Sequence, residues 1–221
     1  AYQTLWDEKA GRFAACRAEG ELKMDIYAGH ANSLALLYGL ADRKQEPRVL
    51  DYVAARLDDT RALAQARIAH YFLYYTLSML LERGRTSDAE RVIRDCWGYM
   101  KHRGAWTLWE TLERGNAGEG SMCHGWSAAP TALLMEHTLG IRPATAGKPN
   151  ELIFAPQAAT VTWARGVYPH PLGAVEVEWA LEAGVVRARL SVPRGVKVEV
   201  SAKALIAGRQ LPMVADMKRR S

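Results

Sequence analysis

The feature that most constrains the fold is a change in apolar period near Asn150. Before it, apolar residues recur at helical spacing. In residues 88–100, Ala89, Val92, Ile93, Cys96, Trp97 and Met100 fall at i, i+3, i+4, i+7, i+8 and i+11, which predicts an amphipathic helix. Ser87, with Glu90 three residues on, has the spacing of a capping box at its start. Gly84 is placed to close the preceding helix, residues 69–81 (AHYFLYYTLSMLL), which is apolar nearly all round. Such a helix is expected between neighbours rather than on a surface. Weaker helical patterns cover residues 6–18, 31–40, 48–57 and 127–139, with Gly140 set to end the last and Pro143 just beyond. These make six helices in pairs. No 34-residue consensus repeats, so a tetratricopeptide array is not expected.

After residue 150 the period becomes two. Val175, Val177, Trp179 and Leu181 alternate with Glu176, Glu178 and Ala180. Val186, Ala188, Leu190 and Val192 alternate with Arg187, Arg189 and Ser191, and Val196, Val198 and Val200 with Lys197 and Glu199. Glu182-Ala183-Gly184 and Pro193-Arg194-Gly195 supply turns. Half-buried strands joined by short loops imply an antiparallel sheet packed on a second sheet or on the helices. The expected class is mainly α, then β. Residues 1–149 form a helical domain and residues 150–221 a C-terminal antiparallel β-sandwich.

Composition sets several classes aside. At 49% hydrophobic and 24% charged, 221 residues can bury a sizeable core and have room for two domains. No apolar run approaches the roughly 20 residues of a membrane-spanning helix, so no membrane partner is expected. The first residues (AYQTLWDEKAGR) have no apolar core of a signal peptide. They also begin without Met, so the true start can lie upstream. Cys16, Cys96 and Cys123 are an odd number without CxxC spacing, against a disulfide framework or a structural zinc site. Unpaired thiols lean toward a reducing, cytoplasmic compartment, although any export signal would lie upstream. The net charge of +5 gathers beyond residue 149, where 10 Lys+Arg face 6 Asp+Glu. Lys218, Arg219 and Arg220 lie in a tail without aromatic partners, so no nucleic acid is expected.

Residues 104–126 (GAWTLWETLERGNAGEGSMCHGW) read as neither helix nor strand. They gather Trp106, Trp109, Trp126, Glu110, Glu113, Glu119 and His124 around a glycine-rich link. Long connections with their own aromatics tend to carry function. Tryptophan beside carboxylates and imidazole suits a sugar: the ring covers the apolar face of a pyranose and the polar groups meet its hydroxyls. A carboxylate against an apolar ring can also have its pKa raised toward the range useful for proton transfer. The plainer alternative is that the tryptophans close the end of a helical bundle while the glutamates face water. It holds best for Glu113 and Glu119, and less well for Glu110, which adjoins Trp109.

Other constellations are poor. His30, His70, His102, His124, His137 and His170 form no compact ligand set, and Glu136-His137 has no partner at i+4, so no metal is expected. His30 and His70 open helices, where capping or packing is the expected role. Cys123 and His124 are neighbours on an extended chain and point apart, against a nucleophilic pair. GxSxG, P-loop and dinucleotide motifs are absent, and no cofactor is expected.

The runs YFLYY (71–75), GRTSDAERVIRDCWGYMKHRGAWTLWE and CHGWSAAPTALLMEHTLGIRP together resemble the C-terminal half of bacterial α-L-rhamnosidases of glycoside hydrolase family 78. IFAPQAATVTWARGVYPHPLGAVEVEWAL is similar to the β-sandwich that closes those enzymes. The resemblance implies part of an (α/α)6 toroid of twelve helices. It also implies an inverting two-carboxylate removal of terminal α-L-rhamnosyl residues from a carbohydrate substrate. By position, Glu110 matches the family's general base and His124 a histidine that contacts the sugar. Trp109 and Trp126 lie beside them and shape the pocket.

The family's general acid belongs to an acidic, arginine-containing motif early in the barrel, and no such motif occurs here. Six helices are also half a toroid, whose open apolar faces would cost about 25 cal/mol per Å². The chain is therefore expected to be one part of a larger polypeptide, requiring an upstream part that carries the acid. Glu21 or Asp25 is the alternative acid. The alternative function is a non-catalytic carbohydrate-binding or helical scaffold protein.

Overall fold

The computed structural model describes residues 2–23, 29–57, 70–111 and 120–220. The chain forms two compact units, Ala1–Ala129 and Pro130–Ser221.

The first unit is built on helices α1 (Gly29–Leu37), α2 (Gln45–Arg56), α3 (His70–Glu82) and α4 (Thr86–His102). α1 packs against α2 and α3, and α3 packs against α4. The stripe on α4 turns inward as its spacing requires, with Ala89, Val92, Cys96 and Met100 buried. α3 buries Leu73, Leu77, Met79 and Leu80, but its opposite side exposes Tyr71 and Tyr74. Its near-continuous apolarity therefore serves one core face and one aromatic outer face.

Gly84 closes α3 as expected. Its φ is +72°, and Gly84 N and Arg85 N donate to the carbonyls of Leu81 and Leu80. This tight turn leaves only Arg85 as N-cap, with no side-chain capping bond, so Ser87 lies inside the first turn of α4 rather than capping it.

Residues 6–18 are not helical, contrary to their apolar spacing. A 3-10 turn (Tyr2–Leu5) leads into two small hairpins, β1 (Trp6–Asp7) with β2 (Arg12–Phe13) and β3 (Cys16–Ala18) with β4 (Glu21–Lys23). Tertiary contacts override the local pattern. The side chain of Asn32, buried on α1, accepts from Phe13 N at 2.9 Å and donates to Phe13 O at 2.8 Å, occupying the groups a helix would use. Gly11 turns the first hairpin at φ +66°, where a Cβ would stand 2.7 Å from the Arg48 Nε.

Residues 125–138 are helical in three geometries: a 3-10 turn (Gly125–Ala128), α5 (Ala129–Leu133) and a π-helical turn (Leu134–Thr138). Gly140 ends the run at φ +87°, and a Cβ there would stand 2.6 Å from the Pro156 backbone.

The second unit holds β5 (Ile141–Pro143), β6 (Glu151–Phe154), β7 (Gln157–Ala158), β8 (Trp163–Tyr168), β9 (Val175–Glu182), β10 (Val185–Val192), β11 (Lys197–Val200), β12 (Lys203–Ile206) and β13 (Arg209–Arg219). One sheet runs β7-β12-β13-β10-β9-β8 and the other β11-β6-β5. Both contribute to one core that includes Ile141, Phe154, Val177, Trp179, Leu190 and Ile206. Trp179 also donates its indole N–H to the Thr138 carbonyl at 3.0 Å. The alternation on β9 and β10 sorts inward from outward residues as the sequence implies, and Ala183 and Gly184 make the hairpin turn with positive φ at both positions. Pairing is mixed. Hairpins such as β9/β10 are antiparallel, whereas β10/β13, β11/β6 and β12/β7 are parallel.

Candidate active site

Two short irregular segments flank residues 112–119, which lie outside the described residues, as does Asp25; Glu113 and Glu119 fall within 112–119. The segments are tied by Glu110 N to Ser121 O at 2.9 Å and His124 N to Leu108 O at 2.8 Å. Thr107 adds a hydroxyl bond to the Met122 carbonyl. This pairing brings Glu110 and His124 together. Glu110 Oε2 accepts from Ser121 N at 2.8 Å and lies 3.5 Å from His124 Nδ1. Both side chains are 28% exposed. Glu110 therefore has one oxygen anchored, and its side chain still reaches solvent.

Behind the carboxylate the backbone is held on both sides by buried groups. The preceding carbonyl, of Trp109, accepts the Ser127 hydroxyl at 2.7 Å. The carbonyl of Ser127 in turn accepts the indole N–H of Trp97 on α4 at 2.7 Å. The carbonyl of Glu110 itself lies 3.1 Å from Nδ1 of His70, the first residue of α3. His70 and Trp97 meet edge to face with centroids 5.0 Å apart. A carbonyl only accepts, so His70 Nδ1 carries the hydrogen. Burial pushes the His70 imidazole below its usual pKa, partly opposed by this bond, and keeps it neutral.

An aromatic rim borders the pair. The Trp126 ring, 42% exposed, lies with its centroid 4.0 Å from that of His124 and 5.3 Å from that of Tyr71. Tyr71 continues to Tyr75, with hydroxyls 3.3 Å apart. Trp109 is different: at 3% exposed, its ring packs inside and supports the segment from within. Glu21 sits exposed on β4, and Cys123 is exposed beside His124. Among the described residues no group of three or more His, Cys, Asp or Glu is placed to hold a metal ion, and no helix is long and apolar enough to cross a membrane.

Glu110, His124, Trp109 and Trp126, singled out in the sequence, thus share one locality. His70, Trp97 and Ser127 carried no such signal. His70 reads as a helix opener and Trp97 as one member of an apolar stripe, and their roles exist only once α3 and α4 are packed.

The family model for the bacterial α-L-rhamnosidase six-hairpin glycosidase domain matches residues 2–138, and the model for the α-L-rhamnosidase C-terminal domain matches residues 140–206. The chain belongs to the bacterial α-L-rhamnosidase family. Its helices are part of the six-hairpin domain, and its two larger sheets form the β-rich domain that follows.

Solved relatives share the fold. The family 78 rhamnosidase of Bacillus sp. GL1 is 25% identical over 98% of this chain and 23% of its own length, with a TM-score of 0.73. The α-L-rhamnosidase of Dictyoglumus thermophilum is 21% identical over 91% of this chain and 22% of its own, at 0.70. That of Streptomyces avermitilis, solved with L-rhamnose, is 22% identical over 83% and 19%, at 0.65. The chain thus spans less than a quarter of the length of these rhamnosidases. No match was found among curated proteins.

Proposed function

We propose that this chain supplies the catalytic base and part of the sugar pocket of an inverting α-L-rhamnosidase. The observation that carries the reading is the setting of Glu110. One carboxylate oxygen is fixed by the Ser121 N–H beside His124, and the backbone on either side is held by buried groups. A base that must draw a proton from water and aim its oxygen at one face of a sugar needs this fixed direction. In this reading Glu110 takes the proton of a water attacking the anomeric carbon opposite the departing group. His124 hydrogen-bonds the sugar with the ring nitrogen that faces away from Glu110. Trp126 offers an apolar face beside it, and Trp109 shapes the pocket from behind.

Inversion requires a second carboxyl group about 6.5–9.5 Å from the base. We place that acid outside these 221 residues, a reading supported by the small share of the rhamnosidases that the chain spans. Residues 1–149 are assigned to the catalytic helices and residues 150–221 to the C-terminal β domain. Of these, residues 130–149, with the π-helical turn and β5, pack in the second compact unit.

The test is hydrolysis of 4-nitrophenyl α-L-rhamnoside by the polypeptide its gene encodes, with the first product followed by proton NMR. Release of β-L-rhamnose before mutarotation is the expected result. Release of the α-anomer would overturn inversion, and hydrolysis of other aryl glycosides in preference would overturn the sugar assignment.

A further inference from the structure

The outer face of the six-stranded sheet carries a row of charges in register. Arg165 on β8, Glu178 on β9, Arg189 on β10 and Asp216 on β13 stand opposite one another across four strands, and all are exposed. They line a shallow groove of about 470 Å³. Opposite charges facing each other across strands commonly pair, and charges at the edges of this face do. Arg187 Nε is 3.2 Å from Glu182 Oε2, and Arg220 Nη2 is 3.0 Å from Glu176 Oε1. Among the described residues, the four groove charges form no ion pair. Two positions along the strands, about 7 Å away, runs a more apolar row. It begins at Trp163, which is 65% exposed, and ends at exposed Val214.

We propose that this face is a second binding site, for a neutral oligosaccharide. A sugar hydroxyl both donates and accepts, so a row that alternates guanidinium and carboxylate offers each hydroxyl a partner of the right kind. Trp163 beside the row supplies a flat apolar surface for a pyranose ring. The row carries as many positive as negative groups, which favours an uncharged glycan over an acidic one. A protein partner fits less well. It would bury four charges at the centre of its contact, where interfaces are depleted of charge and where unpaired ions are costly. The site lies wholly in the second compact unit and shares no residue with the Glu110 locality. A glycan held by the same polypeptide that cleaves it is presented at raised effective concentration. Only this benefit, and the use of a rhamnosyl probe, rest on the proposed activity.

The experiment is an amide NMR titration of the 15N-labelled 221-residue chain with rutinose, a neutral rhamnosyl-glucose, using Glu110→Gln so that the probe survives. Saturable shifts are expected at Arg165, Glu178 and Arg189. Trp163→Ala and Arg189→Gln, each checked for an unchanged β-sheet spectrum, are expected to weaken binding at least tenfold. No shift at this face overturns the proposal, as do shifts of equal affinity in both variants. Shifts that follow protein concentration and ignore sugar would make the face a protein contact, and also overturn it. Shifts confined to Ser121 and His124 would leave the catalytic reading standing and remove this one. Shifts on the sheet, with no hydrolysis of an aryl rhamnoside by the unsubstituted polypeptide its gene encodes, would do the reverse.

Discussion

His70 and Glu110, forty residues apart in the chain, meet at 3.1 Å between the imidazole Nδ1 and the backbone carbonyl. The contact ties the start of α3 to the residue proposed as base. With the Ser127 hydroxyl on the preceding carbonyl, it fixes two successive peptide groups and hence the direction of the Glu110 side chain. Rigidity here comes from α3 and the Ser127 turn in addition to the pairing within the connection itself.

Removing one member of this network is expected to loosen the base without emptying the pocket. Ser127→Ala leaves the buried Trp109 carbonyl without its hydroxyl partner, a loss of about 1–3 kcal/mol in stability. In the polypeptide its gene encodes, kcat is expected to fall more than KM rises. Chemical denaturation and steady-state kinetics check the two effects. An unchanged midpoint would mean that the carbonyl is satisfied in another way.

Acid is expected to weaken the fold before the carboxylates titrate. Burial lowers the pKa of His30, His70 and His137 in the folded chain. Unfolded imidazoles take up protons near pH 6.5, so the unfolded state binds more protons as pH falls through that value, and stability declines. Glu136, raised by burial, works in the opposite sense, because the folded state holds its proton to higher pH. The melting temperature of a His70→Gln variant should therefore depend less on pH between 7 and 5.5 than that of the parent. Equal slopes would show that His70 does not contribute.

The thiols are expected to divide two to one. Cys16 and Cys123 are exposed, whereas Cys96 is buried in the α4 stripe, where burial pushes its thiol up to about 12. A thiol reagent at pH 8 should label two cysteines rapidly and the third only after denaturation. Rapid labelling of Cys96 would mean that α4 opens readily.

Local properties were legible in the sequence. Which face a strand buries depends on its own alternation, so β9 and β10 could be placed from their residues, as could α3 and α4 from theirs. Partner choice is not local. Nothing in residues 197–200 shows that β11 leaves its predecessor for β6 in the other sheet, and the same holds for the parallel pairing of β10 with β13. Residues 6–18 misled because Asn32 supplies from outside the hydrogen bonds that helical spacing assigned within. At the site, Glu110 and His124 stood in one chemically dense connection and could be singled out. The helices that hold them, through His70 and Trp97, could not, since both read as ordinary helix residues until packed.

The most direct measurement is the turnover of Glu110→Gln on an aryl α-L-rhamnoside, in the polypeptide its gene encodes, beside its melting temperature. A base acting on water contributes about 10²–10⁴-fold. The expected result is a fall in kcat of that size with melting unchanged, because Gln keeps the volume and can still accept the Ser121 N–H. Turnover within a few-fold of the parent would contradict the assignment of Glu110 as base.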